Sequence, residues 1–199
     1  MKNEKRSQAE LQELLTGALG LAVKQLQVDR GDLILTVSVS DLGMVLKTCK
    51  EDSRFGFDML IDITAVDWMD SQPERFEVVY QLLNVPHALR LTIKVAVSES
   101  TPEVDSATSL WKGASFLERE VFDMFGIRFK GHNDLRRILM YEEFVGHPLR
   151  KDYPVQGKQP RIPLRAPEVE NTARRMSRPD LVTIRSKRSP LAEGEEQGV

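Results

Sequence analysis

The chain has one cysteine, Cys49, in 199 residues. A lone thiol forms no disulfide framework, which fits a reducing compartment. It also falls short of the four thiolates that usually hold an iron–sulfur cluster. Histidine is nearly as scarce: His87, His132 and His147 are scattered, with no second ligand at a ligating spacing, so the clustered Cys and His of ordinary zinc sites are missing. Neither Gly-x-Gly-x-x-Gly nor Gly-x-x-x-x-Gly-Lys-Ser/Thr occurs, which excludes the two common phosphate-cradling loops. No apolar run approaches the length of a membrane span. The opening MKNEKRSQAELQ has no apolar core, so no secretory signal is expected. The expectation is a chain that carries no cofactor or metal of its own.

What is present describes an ordinary globular protein: 41% hydrophobic residues, 29% charged, and a net charge of −2 that selects no partner. The length suits one domain with extensions. Ala9 to Gln27 carries Leu11, Leu14, Leu15, Leu19, Val23 and Leu26 at helical spacing and reads as one long amphipathic helix, with Gly17 and Gly20 inside it. Asp32 to Val39 alternates as a strand after an Asp29–Asp32 turn. Asp41 to Lys50 reads as a second helix, capped by Ser40 or Asp41, with Leu42, Val45, Leu46 and Cys49 inward. Three strands follow. Asp58 to Asp67 is apolar on both faces, as a central strand would be. Arg75 to Val85 and Leu89 to Val97 alternate cleanly about a Pro86-His87-Ala88 turn, an antiparallel hairpin. Adjacent strands with helices before and after predict an α+β fold: helices on one face of a mostly antiparallel sheet.

After about residue 155 the composition changes. From Gln156 to Val199 there are five prolines, nine basic and six acidic residues, few large apolar side chains and no sustained periodicity. Residues 1–155 are therefore expected to form the folded domain, and 156–199 an extended, locally basic arm that orders only against something else. A nucleic-acid partner is not expected, because the arm lacks aromatic stacking residues.

The densest stretch is Ser115 to Pro154. Ser115 followed by Glu118 has the spacing of a capping box, and Gly126 suits a left-handed helix end. These signals predict a helix from Phe116 to Phe125, preceded by a short one from Asp105 to Lys112 and terminated there by Gly113. Leu117, Val121, Met124 and Phe125 form its inward stripe, while Phe122 falls outside it and Phe116 and Trp111 lie just before it. Arg119 and Asp123 are spaced for an i,i+4 ion pair, and Glu120 and Asp123 for a like-charge clash. A helix apolar on too many sides, beside a carboxylate cluster, suggests a surface that expects a partner.

Two chemistries compete for these residues. Glu118, Glu120 and Asp123 could serve as a general acid and base in a free-standing hydrolase, but no nucleophile or oxyanion loop accompanies them. A cap and a set of surface ion pairs is the plainer reading. The three histidines likewise read as loop residues satisfied by backbone. Arg136-Arg137 and Arg150-Lys151 could bind an anion, and more simply meet carboxylates through guanidinium forks.

The run Glu118-Arg119-Glu120, Asp123-Met124-Phe125, His132, Arg136, Ile138 and Leu139 resembles the signature of one family: the C subunits of the bacterial proton-pumping NADH:quinone oxidoreductase. Gly146-His147-Pro148-Leu149-Arg150-Lys151-Asp152-Tyr153-Pro154 is similar to that family's second motif. Asn133 stands where proline usually follows the histidine, and its side chain can support the same turn by bonding to backbone. The resemblance implies a non-catalytic scaffold in the peripheral arm of respiratory complex I. The whole complex passes electrons from NADH through FMN and iron–sulfur clusters to quinone. It also implies hetero-oligomeric partners, chiefly the large quinone-site subunit of the D type with its iron–sulfur neighbours, on the cytoplasmic face of the inner membrane. Glu118, Arg119, Glu120, Phe122, Asp123, His132, Arg136, His147, Arg150, Lys151 and Asp152 are the interface candidates it points to. The equivalent subunit of a membrane-bound hydrogenase shares the motif and is the alternative.

Overall fold

The computed structural model describes residues 8–160. The expected arm of 156–199 therefore lies outside the described residues beyond Pro160. The elements are α1 (Gln8–Leu19), β1 (Val23–Asp29), β2 (Asp32–Val37), α2 (Leu42–Glu51), β3 (Met59–Asp67), β4 (Phe76–Asn84), β5 (Leu89–Val97), β6 (Glu103–Asp105), α3 (Ala114–Phe125) and β7 (Arg128–Lys130). Strands β1-β2-β5-β4-β3 form one sheet in that order. Three of its four pairings are antiparallel, and β2 with β5 is parallel. Short β6 and β7 pair separately.

The α+β expectation holds. One sheet face carries Leu33, Leu35, Ile63, Phe76, Val78, Tyr80, Leu82, Leu91, Ile93 and Val95, all buried. The inward stripes of all three helices join them in a single core. Leu42, Val45, Leu46 and Cys49 of α2 are buried as the spacing required, and burial pushes the Cys49 thiol up to about 12, which keeps it unreactive. The β4–β5 hairpin turns where expected, with the His87 N–H donating to Asn84 Oδ1 at 2.9 Å.

Three expectations are corrected. The long first helix stops at Leu19, because Gly20 takes φ +48° and the chain re-emerges as β1. Val23 and Leu26 fit a helical stripe but pair with Val37 and Leu35 of β2, a register shift between Val23 and Gln25 bringing both to one face, across a turn whose Arg30 and Gly31 both have positive φ. β3 lies at the sheet edge. It looked apolar on both faces because of a bulge between Leu60 and Asp62. Leu60 and Ile63, opposite Leu82 and Tyr80, both look toward the core. Residues 105–112 form the end of β6 and a turn closed by the Trp111 N–H on the Ala107 carbonyl, not a helix.

Candidate functional site

The α3 helix starts at Ala114, with Gly113 in the cap position and no side-chain cap bond. Ser115 is thus not the cap, and no capping box forms. Its hydroxyl instead lies 3.1 Å from His132 Nε2. Glu118 turns inward and is 0% exposed. There it accepts the Ala107 N–H at 2.6 Å and the Ser106 hydroxyl at 2.7 Å, so the carboxylate anchors the β6–α3 connection to the helix. Burial raises its pKa, partly offset by those two donors. Nearby Tyr80 is fully buried with an unpartnered hydroxyl. Burial first, then the charges of Glu118 and Asp105, push that phenol well above its ordinary value.

Asp123 is also 0% exposed. It does not pair with Arg119. One oxygen meets Arg137 Nη1 at 2.6 Å, and the other accepts three consecutive N–H groups, from Ile138 (3.0 Å), Leu139 (2.8 Å) and Met140 (2.8 Å). Burial alone would raise this carboxyl, but the N–H donors and the Arg137 guanidinium outweigh it and hold the pKa below the ordinary value. Arg119 points along the same loop and donates to the carbonyls of Arg136 and Arg137. Arg137 continues to the carbonyls of Phe144 and Gly146. Of the basic pair, Arg137 therefore meets a buried carboxylate as expected, while Arg136 pairs with Asp134 at the surface.

A helix leaves its last four carbonyls without intrahelical donors. In α3 all four are satisfied, three of them by residues after the helix loop. Phe122 O takes the N–H of Gly126, which sits at φ +76° as the sequence suggested. Asp123 O lies 3.0 Å from His147 Nδ1, a contact that puts a proton on that nitrogen. Met124 O takes the Leu149 N–H at 3.1 Å, and Phe125 O takes Arg150 Nε. The second motif is a C-terminal cap for the helix of the first. Positive Arg137 and Arg150 at this end also oppose the helix dipole. His147 packs edge-on to Phe122, with centroids 6.4 Å apart. Burial and the two guanidiniums lower its pKa, against the bond to Asp123 O. A Cβ on Gly126 would lie 2.5 Å from His147 Nε2 and 2.6 Å from Arg150 Nη2, so only glycine admits this cap.

The cap is tied to the sheet by residues that the motifs do not contain. Asp67, at the end of β3, accepts the backbone N–H of Lys151 at 2.8 Å and pairs with Arg75 Nη2 at 3.0 Å. Arg75 also meets Asp152 at 2.9 Å, and Glu99. Burial opposes ionisation of Asp67, yet Arg75 and the N–H groups of Lys151 and Met69 hold it at about 2. Arg75 in turn holds the Asp152 carboxyl below its ordinary value. The guanidiniums of Arg75 and Arg150 each lie 5.0 Å from the centre of the buried Phe76 ring. Asp67 carried no local sequence signal for this role, since its link to Lys151 spans 84 positions of chain.

The remaining candidates separate. His132 is held in its loop, as expected, by Ser115 and by the Asp134 N–H donating to Nδ1 at 3.0 Å. That bond, accepted by the His132 ring and not by the Asn133 side chain, supports the turn. Lys151 contributes its backbone, while its side chain is exposed, and Glu120 is exposed.

A family model described as respiratory-chain NADH dehydrogenase, 30 Kd subunit, matches residues 35–159. The chain belongs to this family. Among its relatives is the C subunit of NADH-quinone oxidoreductase from Trichlorobacter lovleyi, 50% identical over 145 residues, which are 73% of this chain and 88% of that one. The protein of the same description from Geotalea uraniireducens is 41% identical over 157 residues, 79% of this chain and 92% of that one. A solved trypsin-resistant fragment of Nqo5 superposes with a TM-score of 0.56 at 34% identity, covering 63% of this chain and 98% of the fragment. A chain of an archaeal membrane-bound sulfane sulfur reductase shares the fold at a TM-score of 0.62 and 23% identity, covering 94% of each chain. The resemblance drawn from the two motifs is thereby established.

Proposed function

We propose that this chain acts as a non-catalytic structural subunit of NADH-quinone oxidoreductase. It would sit in the peripheral arm on the cytoplasmic face of the membrane, against the large quinone-site subunit of the D type. FMN, iron–sulfur clusters and quinone would be held by other chains. The observation that carries this reading is that both buried carboxylates of the signature are closed off from solvent and hydrogen-bonded within the fold. A general acid or base needs a face open to a reacting group. Glu118 spends its oxygens on Ser106 and Ala107, and Asp123 spends its own on Arg137 and three backbone N–H groups. The hydrolase reading loses its two best residues to this arrangement. No helix among the described residues is long and apolar enough to cross a membrane.

The test is affinity purification of the tagged full chain from its native host. Copurification with iron–sulfur absorbance and NADH:quinone activity is expected. A chain that elutes alone, near its own mass, contradicts the proposal.

A further inference from the structure

Most of the signature is consumed by the fold, and what is left over is informative. Glu118, Arg119, Asp123, His132, His147 and Arg150 all bond within the chain. Glu120 is exposed and makes no hydrogen bond or ion pair with any described residue. It stands one helical turn from Phe116, a large apolar side chain left 63% exposed on a helix whose other large apolar residues are at least partly covered. On the next turn Asp123 fixes the backbone of Ile138 and Leu139, which are 36% and 57% exposed. A lone carboxylate thus stands on the helix one turn from exposed Phe116 and one turn from the residue that holds the backbone of exposed Ile138 and Leu139.

We propose that this patch of Phe116, Glu120, Ile138 and Leu139 is a docking site for a different chain, which brings a lysine or arginine framed by apolar residues. The proposal rests on the reading above that the chain is one subunit of a larger assembly. Charge complementarity selects the occupant. An unpaired carboxylate in an apolar frame, once desolvated, needs a cation opposite it, and the nearest signature cation, Arg119, is already bound to the carbonyls of Arg136 and Arg137. Pre-ordering also favours docking here, because the Asp123 bonds fix the loop before any partner arrives.

The experiment uses the tagged full chain expressed in its native host, with wild type, Glu120→Gln and Glu120→Lys purified in parallel. A photoreactive residue is placed at Phe116 in otherwise wild-type chain, and the cross-linked peptide is identified. Truncating one side of a desolvated charge pair is costly, so Glu120→Lys is expected to lower the recovery of assembled complex about tenfold, and Glu120→Gln less. The isolated variants should melt with wild type, since the carboxylate has no role inside the fold. The cross-link should fall on a second kind of chain, in a peptide containing lysine or arginine. Full recovery of complex with Glu120→Lys overturns the docking site and leaves the proposed function standing. A cross-link to residues 161–199 of this chain, or to a second copy of it, also overturns the docking site alone. Wild-type chain that purifies without partners overturns both.

Discussion

Asp123 and Arg137, 14 residues apart, hold each other at 2.6 Å across the loop that follows α3. The same carboxylate collects the N–H groups of Ile138, Leu139 and Met140. One side chain therefore fixes both the register of the loop and the charge that reaches on to Phe144 and Gly146. Replacing Asp123 by Ala should destabilise the domain by roughly 3–5 kcal/mol, because it leaves a half-buried guanidinium without its anion. Asp123→Asn should fall between. Thermal unfolding of the isolated full chain measures both, and a shift under about 2 °C for Asp123→Ala would contradict the assigned role.

Gly126→Ala combines a φ of +76° with a Cβ that meets His147 and Arg150. The strain and the displaced cap together should cost roughly 2 kcal/mol or more. Gly17→Ala, with open space around the new Cβ, should be neutral or slightly stabilising, and serves as the control in the same melting experiment.

The pH dependence of stability should carry the mark of Asp67. Its folded pKa, about 2, lies below the ordinary carboxylate value. Its stabilisation is therefore complete above about pH 4, and is lost as pH falls toward 2. The size is on the order of 2 kcal/mol. Asp67→Asn should be less stable than wild type at pH 7 and converge with it near pH 2. Parallel curves across that range would show that Asp67 is not depressed.

Glu118 runs the opposite way. Its folded pKa is raised, so the protonated form is favoured by folding, and wild type should lose stability as pH rises from the ordinary carboxylate range through the raised folded value. Glutamine can still accept the Ala107 N–H and can donate to the Ser106 oxygen. Glu118→Gln should therefore be within about 1 kcal/mol of wild type at pH 7, whereas Glu118→Ala should lose about 1–3 kcal/mol by orphaning a buried N–H. Denaturant melts of the three proteins at pH 5 and pH 7 separate these outcomes.

Much of the fold was legible because local periodicity and burial agree in β4, β5 and α2. Phe76, Val78, Tyr80 and Leu82 alternate in sequence and all four are buried. The reading failed where one pattern serves two structures. Val23 and Leu26 suit a helical stripe, and a register shift between Val23 and Gln25 lets the same spacing serve one face of a strand; the left-handed φ at Gly20 ends the helix before them. Ser115 and Glu118 have capping-box spacing, but Glu118 turns inward to two buried donors at the β6–α3 connection. Gly126 was readable as a helix end. That His147, Leu149 and Arg150 supply the rest of that cap was not, since such bonds connect residues more than 20 positions apart and leave no periodic trace. Ser115→Ala should accordingly change stability by less than the ~1 kcal/mol expected of a true cap.

The central claim is that the two buried signature carboxylates, Glu118 and Asp123, hold the chain's own fold together and take no part in the reaction. The most direct test is the NADH:quinone turnover of complex purified from the native host with Glu118→Gln in this chain, divided by the amount of assembled complex. Wild-type turnover per complex is the predicted result, whatever the yield. A normal yield of intact complex with turnover abolished would show that Glu118 handles a proton in the reaction, and would contradict the account.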